Sequence, residues 1–202
     1  MSGRQPEQGV PGRRIRVRYT VKGKVRFLSH RDVARVIERA IKRAGVPVAY
    51  SVGYSPRPKV QYGLALSTGY ESDGEYIDIH LDPDREGITD TADMALALTA
   101  CLPAGLDVTA ACEIAAGEGS LQDSVESTSW VIHAGEIPLA ELSARVDALV
   151  SAQSHEIEII RKGKLVREDL RPLLMALSVT AGERYCVLCA ELGTKPSQHP
   201  TL

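Results

Sequence analysis

Aromatic side chains are scarce in this chain of 202 residues, which holds one Phe, one Trp and seven Tyr. Cysteine is scarce as well, and no apolar run reaches the ~18 residues that a membrane span needs. The opening stretch, MSGRQPEQGVPGRR, has no apolar core of the kind that directs secretion, so the chain is expected to be cytoplasmic, with no membrane partner. Its polar, Gly- and Pro-rich composition predicts a disordered tail over residues 1–12. The four cysteines are Cys101, Cys112, Cys186 and Cys189, and a cytoplasmic setting argues against structural disulfides. Cys186 and Cys189 have C-x-x-C spacing, but they fall in the strand-like run YCVLCAEL, where residues three apart face opposite ways. They read as small hydrophobes rather than metal ligands.

Other absences narrow the chemistry further. There is no C-x-x-x-C-x-x-C triplet to hold a radical-SAM iron–sulfur cluster. His80, His133, His155 and His199 show no metal-ligand spacing. No phosphate loop, nucleophile elbow or dinucleotide fingerprint occurs. No metal and no cofactor is therefore expected, and binding is favoured over catalysis.

What is present is a strong charge asymmetry. Residues 1–60 carry 15 Lys+Arg against 3 Asp+Glu, whereas residues 61–202 carry 9 against 23, although the whole chain is at −2. Such halves fit a basic surface facing a polyanion, or two halves that neutralise each other.

The pattern of elements is α+β. RRIRVRYT (13–20) alternates strictly, with Arg14, Arg16 and Arg18 on one side and Ile15, Val17 and Tyr19 on the other, a strand with one wet face. In RFLSHRDVARVIERAIKRAG (26–45), Ser29 and Asp32 form a capping pattern, Val33, Val36, Ile37, Ala40, Ile41 and Ala44 form a buried stripe, and Gly45 with Pro47 ends the helix. Glu38 and Lys42 are spaced for an i,i+4 ion pair. VPVAYSV (46–52) and KVQYGLAL (59–66) read as strands around the loop GYSPRP. EYIDIHLD is a further strand, TDTADMALALTACL a helix with Thr89 or Asp90 as its cap, and PAGLDVTAACEIAAG the returning strand. The expected fold is two ferredoxin-like (βαββαβ-type) halves. The first spans 13–117 and carries an extra hairpin arm. A polar linker covers 118–127, and the second, incomplete half spans 128–202.

Three places carry candidate chemistry. On the helix, Arg31, Arg35, Arg39 and Arg43 recur every four residues, ~6 Å apart along the axis, which suits a row of phosphates or a solvated face. Arg14, Arg16 and Arg18 add to the first reading, unless Asp78 and His80 on the neighbouring strand pair with them. At the mouth of the helix, Arg26, Ser29, His30 and Arg31 could hold an anion, and His30 is the one catalytic candidate, as an acid–base group for metal-independent RNA cleavage. In the loop, Ser55, Arg57 and Lys59 offer donors for phosphate or partner contact.

The stretch RFLSHRDVARVIERAIKRAGVPVAYSVGYSPRPKVQYGLALSTGYESDGEYIDI (26–79) resembles the bacterial radical-SAM-linked proteins, through its FLSH-D and AG-P-AYS-GY-P-P runs. That family is found alone or joined to cobalamin-binding radical-SAM enzymes. The resemblance runs from about residue 14 to the C-terminus and implies an accessory partner of a radical-SAM enzyme that handles RNA or a ribosomal component. It also implies a further C-terminal segment after GTKPSQHPTL. A more distant likeness, in topology alone, is to the CRISPR precursor-RNA endoribonucleases, where a histidine sits at a place comparable to His30. The expected function is thus a non-catalytic RNA-binding accessory protein. The alternatives are a His30-dependent endoribonuclease and a protein–protein adaptor with a basic docking face.

Overall fold

A computed structural model describes residues 12–115, 117–161 and 163–194. Expectations for the tail before residue 12 and for the last residues of the chain lie outside the described residues. The chain is an α+β protein that divides into two units, one through Ser124 and one from Val125. Among the described residues no helix is long and apolar enough to cross a membrane.

In unit 1 the elements run β1 (Arg14–Val21), α1 (His30–Arg43), β2 (Val60–Tyr62), β3 (Ser72–His80), α2 (Thr91–Cys101) and β4 (Val108–Ile114). The strands form one sheet in the order β2-β3-β1-β4, with every neighbouring pair antiparallel. The alternation read in β1 decides the layering. Ile15, Val17 and Tyr19 enter the core beside Ile77 and Ile79 of β3, and the helices lay Val33, Ile37, Ala40, Ile41, Met94 and Leu98 against the same layer. Each Val, Ile, Leu or Met side chain among them contributes about 1.5–3 kcal/mol on burial.

Helix α1 is built as its sequence dictates. The Ser29 hydroxyl accepts from the Asp32 amide at 3.2 Å. At the other end Gly45 takes φ +71°, and the Val46 and Gly45 amides donate back to Ile41 and Lys42, which closes a Schellman turn. Helix α2 is capped by Asp90, which accepts from the Ala92 and Asp93 amides. The Glu38–Lys42 ion pair does not form among the described residues.

Two expectations in this unit need correction. The segment 46–52 is no regular strand and makes only isolated bridges, Val48 to Leu81 and Tyr50 to Pro58, while β2 is three residues long. Pro47 and Pro58 lack the N–H groups a ladder requires. The strand end at His80 is instead shared, since its carbonyl accepts from Ala49 and its amide donates to Lys59. The start of the polar linker, residues 118–124, belongs to unit 1. Arg14 donates to the Glu118 and Gly119 carbonyls, and Gln122 donates to the Tyr62 carbonyl. Because β3 lies between β1 and β2, this stretch crosses the outer face of β3, and Leu121 within it is buried.

Unit 2 contains β5 (Ser127–His133), α3 (Leu139–Ser151), β6 (Glu156–Arg161), β7 (Lys164–Asp169), β8 (Leu174–Ala181) and β9 (Cys186–Gly193). Its sheet has the order β5-β9-β8, and α3 packs on it through Leu142, Val146 and Leu174. β6 and β7 pair with each other and not with that sheet, which departs from the expected second half. Their residues alternate charge with modest burial, and cross-strand pairs Glu158–Arg167 and Arg161–Glu168 hold them, with Gly163 at φ +75° in the turn. Cys186 and Cys189 both lie in the continuous strand β9, so their side chains leave opposite faces.

Candidate nucleic-acid interface

The outer face of α1 is the most concentrated charge in unit 1. Its exposed residues are His30, Arg31, Arg35, Arg39, Lys42 and Arg43, each a base or a histidine. Arg35 is paired with Asp32 at 3.1 Å, while Arg31, Arg39, Lys42 and Arg43 have no ion pair among the described residues. From Arg31 to Arg43 the helix rises ~18 Å. The pairs Arg31/Arg35, Arg35/Arg39 and Arg39/Arg43 are like charges at i,i+4, and each destabilises a helix by about 0.2–0.5 kcal/mol. Lys42 and Arg43 stand in the last turn, where the helix dipole favours a cation, so the repulsion along the row is offset mainly at that end. The buried stripe holds the helix in place against the repulsion.

The mouth of α1 differs from the expected anion site. Ser29 uses its hydroxyl as a cap and donates it to the Asp32 carboxylate at 2.7 Å. That bond, with the pull of Arg35, holds the Asp32 carboxyl below the ordinary carboxylate range. A carboxylate of the protein itself thus lies beside the positive end of the helix. Arg26 is likewise engaged. Its Nη1 donates to Glu71 at 2.7 Å, its guanidinium lies 4.7 Å from the Phe27 ring, and Glu71 also accepts from the Gly23 amide.

His30 is exposed, with its ring edge-on to Tyr62 at 5.6 Å and 75°. Tyr62 donates its hydroxyl to the Ala34 carbonyl. Glu75 lies close enough to feel the charge of His30, and burial raises its carboxyl above the ordinary range against the pull of Ser72 and His30. Neither ring nitrogen of His30 is hydrogen-bonded among the described residues.

Of the β1 arginines, Arg16 and, more distantly, Arg14 take the cross-strand role. Arg16 stands opposite Asp78 and grips it with Nε at 2.8 Å and Nη2 at 3.0 Å. Asp78 is fully buried, and Arg14 approaches it to 3.8 Å. This bidentate bond raises the Arg16 guanidinium above its ordinary value. Arg16 is therefore a structural cation, shielded further by the crossing segment 118–122. Arg18 lies over Gly74, where a Cβ would come within 2.9 Å of its Nε, and this buried Nε has no hydrogen-bond partner among the described residues.

In the arm, Ser55, Arg57 and Lys59 are exposed. The neck of the loop is closed by bonds between Ser51 and Arg57, the Ser51 amide donating to the Arg57 carbonyl at 2.8 Å and the Arg57 amide to the Ser51 hydroxyl at 3.0 Å. Apart from His30, edge-on to Tyr62, and Arg18, with its buried Nε, the expected site residues fall into two groups. Arg31, Arg39, Ser55, Arg57 and Lys59 present their side chains to solvent. Arg16, Arg26, Ser29 and Arg35 bond to carboxylates of the chain.

Sequence reasoning missed Glu71 and the crossing segment. Only the polar composition around Leu121 hinted at a single apolar anchor there. Among the described residues no group of three or more His, Cys, Asp or Glu is placed to hold a metal. No curated protein matches the chain. A family model does match it over residues 14–200, nearly its whole length, and the chain accordingly belongs to the family described as an uncharacterized protein conserved in bacteria (DUF2344).

Proposed function

We propose that the protein binds RNA, or a substrate linked to RNA, through the outer face of α1, and that it does so as a non-catalytic accessory to a radical-SAM enzyme. The observation that carries the reading is the row Arg31, Arg39, Lys42 and Arg43, exposed and without carboxylate partners among the described residues. A polyanion is the ligand that repays such an arrangement, by neutralising each cation and releasing its own counterions. Arg57 and Lys59 in the arm are further exposed cations. The radical-SAM partner rests on the resemblance of residues 26–79 and on the missing cluster motif, which leaves bond-making to another chain.

The test is binding to bulk tRNA and rRNA by the wild type and by a variant with Arg31→Glu, Arg39→Glu and Arg43→Glu. The expected result is binding at low salt that the variant loses at least tenfold. No binding at low salt would sink the reading. Metal-independent cleavage that disappears in His30→Ala would replace it with a nuclease, and capture of one acidic protein without RNA would replace it with an adaptor.

A further inference from the structure

The tip of the arm carries an unusual pair of side chains. Val52 and Tyr54 are exposed to 102% and 104%, as open to water as in an extended peptide. They flank Gly53, whose φ of +146° belongs to the region that favours glycine. The neck below them is held by the Ser51–Arg57 bonds and by the bridge from Tyr50 to Pro58, so the tip projects from a closed base. Tyr50 at that base has its ring covered by the Arg85 guanidinium at 5.2 Å, whereas Tyr54 has no ring contact or hydrogen bond among the described residues. A bare aromatic ring with the exposed cations Arg57 and Lys59 after it has the composition of a stacking platform: the ring takes the face of a base, and the cations take the adjoining phosphates.

We propose that Tyr54 stacks on an unpaired base and that the ligand class is therefore single-stranded RNA. The proposal rests on the RNA reading above and goes further by naming the form of RNA. In a duplex both faces of a base are covered by its neighbours, so Tyr54 has nothing to stack on, and a duplex is left with the phosphate contacts alone. A single strand offers both.

The test measures fluorescence anisotropy of a labelled polyadenylate single strand and of a labelled duplex of the same length, with the full chain. Tyr54→Ala weakens single-strand binding about tenfold and leaves duplex binding unchanged, and Tyr54→Phe keeps the single-strand affinity. The proposal is overturned if Tyr54→Ala leaves the single-strand affinity unchanged, or if it weakens strand and duplex alike. It is overturned in favour of a protein partner if the variant loses a co-purifying protein while its single-strand affinity stays. If the wild type binds neither probe, the RNA reading itself falls. If it binds both and only Tyr54→Ala is silent, that reading stands and the stacking role alone is lost.

Discussion

Unit 1 packs two helices on one face of a four-stranded sheet and buries residues from β1, β3, α1 and α2 in a single cluster. Unit 2 sets one helix on three strands and among its described residues buries only Leu142, Val146 and Leu174, while Val131, Ile160, Leu165 and Met175 stay well exposed. A helix anchored by Val33, Ile37, Ala40 and Ile41 can carry a run of repelling arginines on its other side, because burial outweighs three unfavourable pairs of a few tenths of a kcal/mol each. Unit 2 has no such surplus. Its stability rests on less apolar burial, and it is the half expected to open first.

The contrast can be broken most strongly at Asp78. Asp78→Ala leaves the Arg16 guanidinium without its carboxylate beneath the crossing segment, and it is expected to cost unit 1 about 3–5 kcal/mol. Hydrogen exchange should show faster exchange in β1 and β3 and no change in β8 and β9. A pair of core variants sharpens the same comparison. Ile41→Ala, at a fully buried site, is expected to lose toward the upper end of about 2–5 kcal/mol in urea unfolding, and Leu142→Ala in unit 2 toward the lower end. Equal losses would contradict the difference in packing.

Ser29→Ala separates cap from anion site. It is expected to lower stability by about 1 kcal/mol and leave RNA affinity unaltered. A drop in RNA affinity larger than the drop in helix stability would restore the phosphate site at the mouth of α1.

The smallest effect is with pH. Burial and the charges of Arg14 and Lys59 hold the His80 imidazole below its ordinary value, against the pull of Asp78. Between that lowered value and about 6.5 the unfolded chain binds a proton that the folded chain refuses, so stability falls as pH drops through this window. In His80→Gln the urea midpoint should fall less between pH 7 and pH 5.5 than in the wild type.

What could be read from sequence was what is decided locally. The Ser29 cap, the stripe from Val33 to Ala44 and the Gly45 turn each depend on a few neighbouring residues, and all three are in the structure. The alternation of β1 named its buried face correctly for the same reason. Partners far apart in sequence were less legible. Arg16 and Asp78 could be paired once strand neighbours were guessed, but Glu71 reaches Arg26 through a turn whose position no local rule sets. The crossing segment looked like a linker because one buried leucine among polar residues has no periodicity. The hairpin of β6 and β7 was mistaken for part of a sheet because a strand pattern does not name its neighbour. In the candidate interface, the positions of the basic residues were legible, but of their engagements with the protein's own carboxylates only that of Arg16 with Asp78 was.

The RNA assignment stands or falls on the cations of α1. The direct measurement is the slope of log affinity against log salt for single-stranded RNA, in the wild type and in a variant with Arg31→Gln, Arg39→Gln and Arg43→Gln. If these side chains contact phosphates, the slope becomes shallower by roughly two units, about 0.7 for each arginine removed. An unchanged slope in a folded variant would contradict the assignment of this face.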